Sequence, residues 1–140
     1  IKVIEVKPAN ITDKVVREVE NSGSISEVIL QSFHPEVVRN AFDLNPMIPR
    51  ALLVSGRIPV SRLPSIMELI HKAAEVGAST LNLPSRIITP DLVKESHRRG
   101  ISVWAWTVDD ESEMRELIAM NVDGITSNYP DKLLSVITRS

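Results

Sequence analysis

Cysteine is absent from all 140 residues. That excludes a disulfide scaffold, a thiolate zinc site and a cysteine nucleophile, and it leaves the redox compartment open. Aromatic residues are scarce, at 4% of the chain, so an aromatic standing at the end of an element is more informative than usual. There is no excess of one charge either: 16 Lys and Arg oppose 18 Asp and Glu, a formal net charge of −2. Nucleic acids and anionic membrane surfaces are recognised through clustered Lys and Arg, so neither is expected as a primary partner. No run reaches the roughly 18 consecutive apolar residues of a membrane span. The opening Ile1-Lys2-Val3-Ile4-Glu5-Val6-Lys7 has neither an initiator Met nor a signal-peptide layout, so the chain is expected to begin inside a longer protein, with the cytoplasm as the default location. A Gly-rich phosphate loop, a nucleophile elbow, a His pair and zinc-ligand spacing are all missing.

What is present is an ordinary globular composition, 43% hydrophobic and 24% charged, carrying a regular alternation. Short runs rich in β-branched residues are each followed by a helical pattern that a cap or a proline opens and that Gly or Asn often closes. Val3 to Val6 leads to a helix from about Asp13 to Glu20, with Thr12 as its expected cap and Val15, Val16 and Val19 facing inward. Val28 to Leu30 leads to a helix opened by Pro35, where the missing amide hydrogen costs nothing. Ala51 to Val54 precedes a longer loop and a helix around Ser65 to Val76, with Gly77 at its end. Thr80 to Leu83 precedes a helix behind Thr89-Pro90. Ile101 to Val108 precedes one on which Asp110 and Glu113 have capping-box spacing. Asp123 to Thr126 is the last run, followed by a helix opened by Pro130, with Leu133, Leu134 and Ile137 expected to be buried.

This pattern gives six consecutive β/α units in one domain, residues 1–140, of the α/β class with parallel strands and right-handed crossovers. Ligands of such folds sit at the C-terminal ends of the strands. A closed eight-stranded barrel typically takes about 250 residues, so six units do not close one.

Glu5 and Lys7 are the most informative pair there. Positions two apart on a strand face the same side, so opposite charges end the first run together where a parallel strand favours apolar residues. A carboxylate suits a hard cation such as Mg²⁺ or Ca²⁺, and an ammonium beside it suits a phosphate oxygen; the competing reading is a salt bridge at a strand end. Ser32-Phe33 and Trp106-Thr107 stand at the ends of the second and fifth runs, where an aromatic can wall a pocket and a hydroxyl can orient a ligand, or where the ring can simply pack between strand and helix. Trp104 shares the face of Trp106. Of the histidines, His71 and His97 fall on outer helix faces, whereas His34 follows Phe33 and reads equally as a mouth residue or a helix cap.

Taken in order, Ile4-Glu5-Val6-Lys7, Gln31-Ser32-Phe33, Val103-Trp104-Ala105-Trp106-Thr107-Val108-Asp109 and Val122-Asp123-Gly124-Ile125-Thr126-Ser127-Asn128-Tyr129-Pro130-Asp131 resemble the C-terminal part of the glycerophosphodiester phosphodiesterases. The resemblance implies a (β/α)₈ TIM-type barrel that uses a divalent cation, Mg or Ca, and two histidines to hydrolyse glycerophosphodiesters to glycerol 3-phosphate and an alcohol. It implies that Glu5 is a metal ligand, that Lys7 lies near the phosphate, and that Phe33 and Trp106 are apolar walls for the substrate. The family's His-Arg-Gly motif, Glu-x-Asp pair and His-Asp motif precede the Glu-x-Lys strand and have no counterpart here, so this chain should be inactive alone. It should either self-associate or require an N-terminal segment to complete the barrel. Family patterns also usually carry Asn at position 109 and Asp at 128. A reading from another class is a non-catalytic barrel relative that binds a phosphorylated ligand or a protein partner.

Overall fold

The β-branched runs do become strands, because each one can bury its outward face under the helix that follows it. A computed structural model describes residues 1–138. Its strands are β1 Lys2–Glu5, β2 Val28–Ser32, β3 Arg50–Leu53, β4 Thr80–Pro84, β5 Ser102–Trp106 and β6 Gly124–Ile125. They form one sheet in the order β1-β2-β3-β4-β5-β6, with every pair parallel. The helices between and after them are α1 Thr12–Asn21, α2 Pro35–Leu44, α3 Ile66–Glu75, α4 Pro90–His97, α5 Glu111–Ala119 and α6 Pro130–Thr138. Sequential order with a helix in every crossover is the arrangement of a barrel wall. Among the described residues no helix is long and apolar enough to cross a membrane.

Most of the core lies between the sheet and its helices. Leu52, Leu81, Leu83, Val103 and Ala105 meet Ile70, Ala73, Leu92, Val93 and Met114 in one cluster, and Val6, Val28 and Leu30 meet Val16, Val19, Val37 and Ala41 in another. Fully burying a Leu or Val contributes about 1.5–3 kcal/mol, so these two clusters supply most of the driving force.

The helix starts follow local chemistry. Ser65 and Glu68 form a complete capping box on α3: Glu68 N–H donates to Ser65 Oγ at 3.2 Å and Ser65 N–H to Glu68 Oε2 at 2.7 Å. That bond to the Ser65 amide holds the Glu68 carboxyl below its ordinary range. The Thr89 hydroxyl caps α4 through Leu92 N–H at 3.2 Å. Gly77 follows α3 at φ +68°, and a Cβ there would lie 2.6 Å from the Phe42 ring, so the position requires glycine on two counts.

Three expectations need correction. Thr12 does not cap α1; it is the first residue of that helix, and its buried hydroxyl donates to Ala9 O at 2.9 Å, closing the one-turn 3₁₀ helix in front. Asp110 caps α5 by accepting from Glu113 N–H at 3.0 Å, but no reciprocal bond from the Glu113 side chain forms, so only half of that box exists. On α6, Val136 is buried, while Leu134 and Ile137 are 62% and 53% exposed. The reason is topological: β6 pairs only with β5, so the sheet ends before it can cover the whole apolar face of α6. Likewise β1 pairs only with β2, and Val3 is 46% exposed at that edge.

Candidate functional site

Parallel strands deliver all their C-terminal ends to one side, and there the sequence-predicted residues gather. Side chains at positions paired in parallel register share a face of the sheet. Glu5 pairs with Gln31, and Asn82 with Trp104, which in turn pairs with Gly124. These residues occupy the face turned away from the helices.

Curvature shows in what this face brings together. Phe33 directly follows β2 and Trp106 ends β5, three strand steps away, which is about 14 Å in a flat sheet at roughly 4.8 Å per step. Yet the two rings meet edge to face, with centroids 5.5 Å apart and planes at 80°. The sheet therefore curls towards this face. Gln31 and Asn82, two strands apart, make the same point: Asn82 Nδ2 donates to Gln31 Oε1 at 2.9 Å across β3.

Trp106 is fixed from several sides. Its Nε1–H donates to Asn82 O at 3.2 Å, the Phe33 ring meets it edge to face, and Gly56 lies alongside, where a Cβ would stand 3.6 Å from the ring in ordinary contact. Trp106 remains half-buried and Phe33 is 39% exposed, so both rings present surface to the mouth. Trp104 shares the face but packs over Gly124, where a Cβ would lie 2.9 Å from its ring. Of the two tryptophans, Trp106 is the one in contact with Phe33, while Trp104 is tied to the β6 side.

Glu5 ends β1 and Lys7 lies two residues past it; both are exposed, with buried Val6 between them, whose N–H donates to Gln31 O at 2.9 Å. The two charged side chains thus share a face without pairing: among the described residues neither has an ion-pair or side-chain hydrogen-bond partner, so the salt-bridge reading fails. Among the described residues no group of three or more His, Cys, Asp or Glu converges as a cation site. Ca²⁺ takes about six to eight oxygen ligands, and a single carboxylate offers at most two. Among the described residues Glu5 thus stands as a single carboxylate rather than as one of a cluster of three or more such side chains.

Ser32 is corrected: its hydroxyl is fully buried on the helix side, donating to Val6 O at 2.6 Å and accepting from His34 N–H at 3.2 Å, and is unavailable to a ligand. His34 occupies the N-cap position of α2 without capping it through its ring, whose Nδ1 stands 3.7 Å from Glu36 Oε1 in an exposed pair. His71 is exposed as expected. His97 is exposed too, but it is not merely solvated: its Nε2 lies 2.8 Å from Asp123 Oδ2, an oxygen that also accepts from Val103 N–H at 2.7 Å at the opposite end of the sheet.

Between the loops that follow β5 and β6, Asp109 Oδ1 accepts from Asn128 N–H at 2.9 Å and from the Ser127 hydroxyl at 3.1 Å, and Oδ2 accepts from Asn128 Nδ2 at 2.9 Å. The Asn128 amide, then its backbone, hold the Asp109 carboxyl below its ordinary range. Asp109 and Asn128 are thus direct partners, one supplying only acceptors and the other the donors.

The model of the Glycerophosphoryl diester phosphodiesterase family matches residues 2–132. The chain belongs to that family. A glycerophosphodiester phosphodiesterase of Caldanaerobacter subterraneus subsp. tengcongensis is 25% identical over 129 residues, covering 92% of this chain and 50% of the relative. The solved phosphodiesterase of Oleispira antarctica, in complex with the product sn-glycerol-3-phosphate, superposes with a TM-score of 0.76 at 24% identity, over 96% of this chain and 53% of that one. A glycerophosphodiester phosphodiesterase of Parabacteroides distasonis gives 0.77 at 23% identity, over 98% and 57%. The chain spans about half the length of these relatives. Six parallel strands in sequential order thus correspond to part of the family barrel.

Sequence reasoning passed over Asn82. It is buried on the inner face, and its Oδ1 has no partner among the described residues. The signal was available: an amide in the middle of the otherwise apolar β4 run costs about 1–3 kcal/mol per unsatisfied group unless bonded, so it implies a partner across the sheet.

Proposed function

We propose that these six units are the larger part of a barrel that hydrolyses glycerophosphodiesters to glycerol 3-phosphate and an alcohol. The observation that carries this reading is the Phe33–Trp106 pair, a joined aromatic wall at the C-terminal mouth of a chain belonging to this family. Hydrolysis adds one water: its oxygen goes to phosphorus, the bond from phosphorus to the alcohol oxygen breaks, and the departing oxygen gains a proton.

Within that reaction, Phe33 and Trp106 together form one apolar wall against which the glycerol carbons lie, and Lys7 places a positive charge beside a phosphate oxygen. Glu5 would contribute one carboxylate to a divalent cation, Mg or Ca, whose other ligands would come from outside this chain. Such a cation, when bound, neutralises phosphate charge. Proton transfer belongs to two histidines that also lie outside this chain. His34 is not assigned to that role, since among the described residues the carboxylate paired with its ring is the exposed Glu36. Residues 1–140 are thus one incomplete domain, inactive without the remaining units.

Glu5→Gln in the complete barrel tests the cation assignment, because it exchanges a charged oxygen donor for a neutral one of the same shape. Metal affinity measured by calorimetry should fall, and activity should recover at higher metal concentration. Unchanged affinity together with unchanged turnover would remove Glu5 from the site.

A further inference from the structure

Beside the aromatic pair, on the side of Phe33 towards β3, lies a crevice of about 300 Å³ that the assignments above leave unused. It opens between the ends of β2 and β3 and the start of α3. Leu53, Val54, Ile58 and Leu69 line its body, Phe33 forms one wall, and Ser55, Glu68 and Lys72 stand around it. We infer that this crevice holds the leaving alcohol of the phosphodiester and selects alcohols with a compact apolar body. The inference rests on the hydrolase reading and extends it to the substrate's variable half.

Position is the first argument. Phe33 belongs both to the crevice and to the wall it makes with Trp106, so a diester whose glycerol half lies against the aromatic pair projects its other half across Phe33 into this space. Charge is the second. The Glu68 carboxylate accepts from Ser65 N–H at 2.7 Å and is kept anionic there, and Lys72 lies one turn further along α3, so the crevice carries a carboxylate and an ammonium together. With no net charge it has no reason to prefer a cationic headgroup or a second phosphate, and its apolar body favours carbon.

Size is the third argument. A volume of about 300 Å³ stands at the small end of the range for ligand pockets. That suits a benzyl-sized alcohol better than a diacylglycerol. The fourth is rigidity. The outer wall is the loop after β3, and Arg86 clamps it by donating from Nη2 to Gly56 O at 2.9 Å and to Ile58 O at 2.6 Å, while Gly56 lies near Trp106 and Pro84. A wall held this way is formed before the ligand arrives, which lowers the ordering cost of binding.

The test compares hydrolysis of glycerol benzyl phosphate and glycerophosphoglycerol by the complete barrel, two diesters whose leaving groups are both primary alkoxides. Ser55→Trp, a rim residue exposed to solvent, should fill the crevice and lower kcat/KM for the benzyl diester by about tenfold or more, and for the glycerol diester by less, because glycerol gains less from an apolar lining. Ile58→Ala should widen it and raise the preference for a naphthylmethyl diester over the benzyl one. If both variants leave these ratios unchanged, or lower all diesters equally, the crevice is not the alcohol site although the hydrolase reading stands. If the unaltered barrel releases glycerol 3-phosphate from none of the diesters at any metal concentration, the hydrolase reading fails and takes this assignment with it.

Discussion

Replacing Trp106 by alanine separates a pocket wall from a core residue. A tryptophan packed on all sides costs about 3–5 kcal/mol when truncated. Trp106 is half-buried, and its specific interactions are the edge-to-face contact with Phe33 and the bond to Asn82 O. Such an aromatic pair contributes about 0.5–1.5 kcal/mol and such a hydrogen bond about 1 kcal/mol. Adding a share of partial burial gives a loss of about 2–3 kcal/mol, below the range for a core tryptophan. Denaturant unfolding of the complete protein, of Phe33→Ala, of Trp106→Ala and of the double variant reads the coupling between the rings, expected at about 1 kcal/mol. In kinetics, Trp106→Ala should raise KM more than its stability loss explains. A coupling of zero would refute the contact. A loss in the core range with unaltered kinetics per folded molecule would refute the wall.

Gly77→Ala should destabilise the protein by more than the usual 1 kcal/mol or so of a lost left-handed glycine, because the new Cβ also meets Phe42 at 2.6 Å; Phe42→Leu beside it should recover part of the loss in thermal unfolding. The 140-residue chain by itself should self-associate or bind an apolar dye, since β1 and β6 are unpaired edges and Leu134 and Ile137 lie exposed on α6. A monodisperse monomer in ultracentrifugation with no dye binding would contradict that.

Much of the fold was legible because the signals were local. Proline in the first turn placed α2 and α4, apolar spacing gave the buried faces of α1, α2 and α4, and glycines at positive φ closed α1, α3 and α4. The failures came where a distant partner decided the outcome. Leu134 and Ile137 have correct helical spacing, but a sequence does not reveal that the sheet stops at β6. Ser32 sits in the motif beside Phe33, but strand parity turns it to the helix side, where Val6 O takes its hydroxyl. The Ser65–Glu68 box was as readable as the Asp110–Glu113 spacing, and the complete box formed at the former. Within the site, Phe33 and Trp106 could be named from their strand ends. Their contact depends on curvature accumulated over three strands, and the clamp of Arg86 on Gly56 and Ile58 crosses from one loop to the next.

The central claim is that this chain carries the aromatic wall, one carboxylate and one lysine of a phosphodiesterase site, while the proton-transferring groups lie elsewhere. Release of glycerol 3-phosphate from glycerophosphoglycerol, followed with an enzyme-coupled assay in the presence of Mg²⁺ or Ca²⁺, tests it most directly. Residues 1–140 alone should give background rates, unaffected by His34→Ala. Supplying a segment that bears the two histidines, in cis or in trans, should restore turnover, since general acid–base help is worth about a hundred- to ten-thousand-fold. Metal-dependent turnover by the isolated chain, abolished by His34→Ala, would contradict the account.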